Sequence, residues 1–242
     1  MVYTEFSVVE KPIIEWLEGL GWKYIHPDEL KRDIEDPFDL PTLTEAIKRL
    51  NPQLEAEDVD KVPSQLRRPS NDMAGNKDFL EWLKGERSLV LKQGEKATTI
   101  KLVDFENPEN NMFVVTNQFK FSGYENVRFD IVLMVNGIPL VVIEAKTVAK
   151  ELLDYHEAIK QLRRYAREAP QFLKYLAYVC PTDGMAFKYG WVTAEGYEKF
   201  FDWNDEKLTD PAEASVKGLF EKGLFLDFIG IFTVVEKERE RS

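Results

Sequence analysis

Between Arg128 and Lys146 the chain reads R-F-D-I-V-L-M-V-N-G-I-P-L-V-V-I-E-A-K, a stretch that concentrates hydrophobicity and then interrupts it with charge. Two apolar runs rich in β-branched residues, Phe129 to Val135 and Ile138 to Ile143, flank Asn136-Gly137, so the spacing predicts a β-hairpin. Neither run alternates with polar residues, which is the pattern of strands covered on both faces. Asp130, Glu144 and Lys146 therefore need a reason. Burying carboxylates in an apolar sheet is costly unless something positive compensates, and a bound cation is one adequate partner. Two converging carboxylates suit Mg²⁺, which takes oxygen ligands and keeps several waters, and the backbone carbonyl of Ala145 offers another oxygen. Lys146, two residues beyond Glu144, shares its strand face. There an ammonium can orient an attacking water and stabilise charge building on a phosphate. The competing reading is a set of solvated charges at strand ends, since a bare E-x-K arises by chance about once in a chain this rich in Glu and Lys.

Register decides whether the two carboxylates can cooperate. A two-residue Asn136-Gly137 turn pairs Val135 with Ile138 and brings Asp130 opposite Ile143, on the other sheet face from Glu144. A shared site needs Asp130 opposite Glu144. That requires a loop of odd length or a β-bulge in one strand.

Asp130 with Glu144-Ala145-Lys146 resembles the PD-(D/E)xK nuclease motif, with Phe129 where that family carries a proline. The surrounding L-V-D-F-E-N-P-E-N-N-M-F-V-V-T-N-Q, from Leu102 to Gln118, together with Gln161 and Tyr165, resembles the N-terminal nuclease domain of the R (motor) subunit of type I restriction enzymes. The likeness runs with gaps from about Val9 to the C-terminus and is strongest from Leu102 to Gly190. It implies an α/β fold, a restriction-endonuclease-like mixed β-sheet flanked by α-helices. It also implies a Mg²⁺-dependent DNA endonuclease, Mn²⁺ able to substitute, with Asp130, Glu144 and Lys146 catalytic and with Asp130, Glu144 and the Ala145 carbonyl as metal ligands. Gln161 and Tyr165 match the family's Q-x-x-x-Y element, which supports the catalytic lysine and the DNA backbone. Glu10 falls where the family places an acidic residue beside the metal; it reads equally as an acid favoured by a helix dipole. The implied partners are double-stranded DNA and the methyltransferase and specificity subunits. ATP belongs to a motor domain outside this sequence, which holds no G-x-x-x-x-G-K-[ST]. A stand-alone repair or recombination nuclease of the same superfamily, and a catalytically dead docking module, are the other readings.

The formal charge of −11 argues against tight nucleic-acid binding by this chain alone, because nonspecific affinity comes from cations neutralising phosphates. The candidates for that work are Lys120 and Arg128 on strands, and Lys160, Arg163 and Arg164 on a helix from Lys150 to Glu168 that ends before Pro170. Gln161 and Tyr165, four apart, share a face of the same helix. One cysteine, Cys180, cannot form an internal disulfide and lies in an apolar segment, which points to a buried thiol in a reducing, cytoplasmic setting. No apolar run approaches the roughly 20 residues that span a membrane.

Along the chain, Ser7 and Glu10 have capping-box spacing before a first helix ending at Gly21, although Pro12 favours a start nearer Lys11, and Thr42 with Glu45 predicts a second box opening a helix to about Leu50. Glu55 to Leu66 and Asp78 to Leu83 read as helices, Gly94 to Val103 and Met112 to Phe121 as strands, and Asn107 to Asn111 as a loop. Leu173 to Cys180 and Gly184 to Val192 read as strands around a Pro181-Thr182-Asp183-Gly184 turn. Trp191 and Trp203 read as core or inter-domain packing. Ala212 to Val235 reads as short helices and Glu236 to Ser242 as a fraying tail. The expected organisation is an endonuclease domain over 1–210, with 27–78 as a helical layer within it, and a helical segment over 211–242 leading towards the motor.

Overall fold

In the computed structural model, which describes residues 6–90, 96–146, 155–193, 198–203 and 211–239, the apolar hairpin becomes the centre of a mixed sheet. The first half of the chain contains α1 (Lys11–Gly19), β1 (Lys23–Tyr24), α2 (Leu40–Leu50), α3 (Ala56–Val59), α4 (Val62–Leu66), α5 (Met73–Leu83), β2 (Ser88–Leu89), β3 (Thr98–Thr99) and β4 (Phe113–Ser122). The second half contains β5 (Asn126–Val135), β6 (Ile138–Ala145), α6 (Tyr155–Glu168), α7 (Pro170–Leu173), β7 (Tyr178–Thr182), β8 (Lys188–Val192), β9 (Glu198–Asp202), α8 (Pro211–Phe220) and α9 (Lys222–Arg239). Seven strands pair in the order β1-β4-β5-β6-β7-β8-β9, with β1/β4 and β6/β7 parallel and the other neighbours antiparallel. Strands β2 and β3 form a separate ribbon.

Both faces of the sheet are covered, as the unbroken apolar runs require. On one face Ile13 and Leu17 of α1, Phe220 of α8 and Phe225 of α9 share a core with Val115, Ile131, Leu133 and Ile143. Helices α2 to α5 add Leu43, Ile47, Val59, Val62, Leu66 and Phe79 to that core. On the other face Leu162 and Tyr165 of α6 and Phe172 of α7 pack on Phe119, Phe121, Phe129 and Val142. The expected mixed α/β architecture is the observed one.

The hairpin turn is two residues long, with Asn136 at φ 51° and Gly137 at φ 77°, the double left-handed conformation that twists in step with its strands. It is buried. Asn136 accepts from the Met112 amide (2.9 Å) and donates to the Leu102 carbonyl (2.9 Å), while the Gly137 carbonyl accepts from the Asp39 amide (2.9 Å). A Cβ on Gly137 would stand 2.5 Å from the Asp39 carbonyl and 2.8 Å from the Leu43 nitrogen. Gly137→Ala should therefore cost at least about 1 kcal/mol, read as a lowered denaturation midpoint at unchanged m-value. An unshifted midpoint would show that the turn relaxes freely.

Several local expectations give way to tertiary contacts. The first helix is entered through a π-turn, Phe6–Glu10, and Glu10 makes no side-chain cap. Helix α2 starts at Leu40, two residues before the expected capping box, with Pro41 in its first turn, and Thr42 donates to Asp39 Oδ2 (2.7 Å). The Glu55 to Leu66 helix divides into α3 and α4, with Pro63 at the start of the second, where a missing amide does no harm. Of the Gly94 to Val103 strand, Thr98–Thr99 pairs with β2, and 91–95 lie outside the described residues. The first part of Leu173 to Cys180 is not strand, because α7 begins at Pro170 and β7 only at Tyr178. Residues 150–154 of the expected Lys150 helix, and 240–242 of the expected tail, also lie outside the description. Cys180 is fully buried, and burial pushes its thiol well up.

Sidedness reverses in the middle of the sheet. In a regular strand, residues of one parity stay on one face. Yet Phe113 and Val115 belong to the α1-side core and Phe119 and Phe121 to the α6-side core. In β5, Val127 and Phe129 face α6 whereas Ile131 and Leu133 face α1. The switch falls at Gln118, whose φ is 49°, and at Asp130. These two stand across from each other between the pairs Asn117↔Ile131 and Phe119↔Phe129.

Candidate active site

The hairpin register runs Val135↔Ile138 and Met134↔Pro139, then shifts to Leu133↔Val141, Val132↔Val142 and Ile131↔Ile143. The two-residue turn and a common face for the two carboxylates are thus reconciled by a bulge at Leu140. Beyond it the register continues to Asp130 opposite Glu144. Proline within a strand is tolerated at such an irregularity because its missing amide is not needed there, and Pro139 occupies that place.

Asp130 and Glu144 are 6% and 1% exposed. Asp130 Oδ2 accepts from the Ala145 amide (3.0 Å), which ties the first carboxylate to the backbone between the second carboxylate and the lysine. Lys146 Nζ donates to Glu144 Oε1 (2.9 Å) and lies 3.9 Å from Asp130 Oδ2. One ammonium thus serves both acids. Among the described residues, Glu144 Oε2 is buried without a hydrogen-bond partner. Burial, followed by the Asp130 charge, pushes Glu144 up to about 8 against the opposing pull of Lys146.

Helix α6 braces the strand that carries Asp130. Gln161 Nε2 donates to the Tyr165 hydroxyl (3.0 Å), which donates to the Arg128 carbonyl (2.6 Å). The Tyr165 ring meets Phe129 edge-on at 4.8 Å. Burial raises the phenol's pKa, and Glu144 raises it further, so Tyr165 stays a neutral donor. Its contact is with the backbone two residues before Asp130.

Glu10 is 2% exposed. Its oxygens accept from Gln118 Nε2 (2.9 and 3.1 Å) and Asn117 Nδ2 (3.3 Å), and Tyr24 in turn donates to Asn117 Oδ1 (2.8 Å). Among the described residues no three His, Cys, Asp or Glu side chains converge as a metal cluster. Glu10 thus stands beside Gln118, the residue across from Asp130.

The model for the type I restriction enzyme R protein N terminus matches residues 2–198. The chain belongs to that family. It is 30% identical over 98% of its length to a candidate MjaIXP endonuclease subunit of Methanocaldococcus jannaschii, covering 26% of that protein. It is 30% identical over 95% of its length to the type I restriction enzyme HindI endonuclease subunit of Haemophilus influenzae, covering 24% of it. The EcoprrI endonuclease subunit of Escherichia coli is 27% identical over 98% of this chain and 76% of that protein. The chain spans about a quarter of the first two relatives.

In this R-protein N-terminal domain the five basic residues read as DNA contacts divide into two sets. Lys120 and Arg128 are exposed and directly paired across β4 and β5. On α6, Lys160 pairs with Glu157 and Arg164 with Glu168 (3.5 Å). Arg163 is gripped by both carboxylate oxygens of Glu198, Nε to Oε2 at 2.6 Å. Glu198 opens β9, a strand the charged E-K-F-F-D sequence does not announce. The Arg163 guanidinium thus already forms a bidentate internal ion pair. Sequence reasoning also passed over Asn117 and Gln118. The available signal was the polar triplet Thr116-Asn117-Gln118 inside the otherwise apolar F-V-V-T-N-Q-F.

Proposed function

We propose that this chain is the divalent-metal-dependent DNA endonuclease domain of a type I restriction enzyme R protein, hydrolysing phosphodiester bonds of double-stranded DNA. The observation that carries the reading is the orphaned, buried Oε2 of Glu144 beside Asp130. A buried acceptor without a partner costs about 1 to 3 kcal/mol, and a hard cation is the partner that this pair of carboxylates suits. Asp130, Glu144 and the Ala145 carbonyl would hold Mg²⁺ or Mn²⁺. When bound, the ion would neutralise the pair and polarise a phosphoryl oxygen. The chain's own residues do the rest. Lys146, fixed by Glu144, presents its ammonium to an attacking water and to the charge growing on the phosphate. Tyr165 and Gln161 hold the Asp130 strand in place. Ala145 keeps Asp130 Oδ2 aimed across the hairpin.

The same proposal assigns ATP-driven translocation to another part of the longer protein and site recognition to the methyltransferase and specificity subunits, in a cytoplasmic enzyme. Among the described residues no helix is long and apolar enough to cross a membrane. Reconstituting the whole enzyme with Asp130→Ala or Lys146→Ala tests the reading. Plasmid cleavage should fall by at least about a hundredfold while ATP hydrolysis persists. Cleavage at the normal rate by the Asp130→Ala enzyme would overturn it.

A further inference from the structure

Beyond the carboxylate pair, β4 and β5 continue outward as a two-stranded arm. Arg128 lies two residues from Asp130 and faces Lys120 across the ladder. Both side chains are exposed, and among the described residues neither meets an acid. At the tip, Tyr124 is 68% exposed, the most open large hydrophobic side chain described.

The backbone that presents it is held firmly. Gly123 N donates to the Glu125 carbonyl (3.0 Å) and Glu125 N to the Glu168 carbonyl (3.0 Å) at the end of α6. A Cβ on Gly123 would stand 2.8 Å from Gln171 Oε1 and 2.9 Å from Ala169 Cα. On the other side Ser122 N donates to the Ile34 carbonyl (3.0 Å), and Arg32 binds the Lys120 carbonyl while lying 3.7 Å above the Phe119 ring. The edge is therefore closed to strand addition. What remains for a partner is a rigid surface with two uncompensated cations and one presented aromatic, in a chain of net charge −11.

We propose that this arm, and not the basic face of α6, is the surface by which the chain meets the backbone of duplex DNA on one side of the cut, with Tyr124 against a sugar or base edge at the far end. The inference rests on the nuclease reading above. Charge complementarity selects the partner. Lys120 and Arg128 present positive charge without an internal acid, whereas each α6 cation described above already has one. Scale agrees as well. At about 3.3 Å per residue, Arg128 lies about 7 Å along β5 from Asp130 and the tip about 20 Å away. That length covers roughly six base pairs at 3.4 Å each. Glu125 lies at the tip and Asp33 and Glu35 flank Ile34 beside it, so the contact there is aromatic rather than ionic.

The test uses this 242-residue chain with a fluorescein-labelled duplex in EDTA, titrated at several salt concentrations from a low starting value. Replacing Lys120 and Arg128 together by glutamine should weaken binding about tenfold and flatten the salt slope by nearly two, at about 0.9 per phosphate contact. Tyr124→Ala should weaken binding about fivefold or more without changing the slope, as loss of an uncharged stacking contact does. Thermal unfolding of the Tyr124 variant should match the wild type, which separates lost contact from lost fold. The Arg163→Gln/Arg164→Gln chain should keep the wild-type slope. If that helix pair carries the slope and the strand pair does not, the arm is overturned and the nuclease reading stands. A wild-type chain with no salt-dependent duplex binding at low salt overturns both.

Discussion

Glu144→Gln should make the metal-free protein more stable at pH 8 to 9 and leave the whole enzyme unable to cut. The carboxyl is raised from 4.5 to about 8 in the folded protein, first by burial and then by Asp130. Between those two values the folded state holds the proton more tightly than the unfolded chain does, so stability falls as pH rises through that window. The contribution is complete below about 4.5 and lost by about 8 and above. Glutamine cannot ionise and escapes the loss, so the variant's advantage should be near zero at pH 4 and on the order of 5 kcal/mol at pH 9. Urea denaturation in EDTA at several pH values measures it. A stability difference that stays flat from pH 4 to 9 would mean that Glu144 is not the titrating group. Mg²⁺ should stabilise the wild type through preferential binding to the folded state and should do so much less for the variant. The residue that destabilises the protein in EDTA is the one that would hold the ion.

Phe172→Ala should give the largest loss of stability among single core changes near the site. Its ring stacks on Phe129 at 4.5 Å and lies 5.3 Å from Phe119 and 5.2 Å from Phe121, with no exposure. Truncation removes the centre of that cluster and leaves a cavity that rigid neighbours cannot fill, at about 3 to 5 kcal/mol. In a domain of this size the midpoint should drop by roughly 10 °C. Because Phe129 precedes Asp130 and packs on Tyr165, cleavage should be lost at a lower temperature than in the wild type. A midpoint within about 2 °C of the wild type would show that α7 does not anchor the hairpin.

The hairpin was legible because Asn136-Gly137 and the β-branched runs are local signals, and local signals survive in a sequence. The bulge was legible only as a requirement. Two carboxylates had to share a face, a two-residue turn would have separated them, and an extra residue was needed somewhere. Leu140 supplies it, with Pro139 as the one trace in the sequence. The capping boxes at Ser7 and Thr42 were misleading for the converse reason. Their spacing is local, but Glu10 is drawn away by Gln118 and Asn117, more than a hundred residues distant, and α2 takes its start from Asp39 and Pro41.

By itself the sequence determined the family, the mixed α/β class and the central hairpin, and it singled out Asp130, Glu144 and Lys146 as the charges to be explained, because residue type and short spacing encode these directly. Tertiary structure alone decided which side of the sheet each half-strand faces and which cations are already neutralised. It also decided what Glu10 touches. Arg163 looked available until Glu198, 35 residues later, closed on it, and Gln118 looked ordinary until its left-handed backbone reversed β4 opposite Asp130. Pairings of that kind are set by strand order and packing across long loops, where neither partner carries a mark of the other.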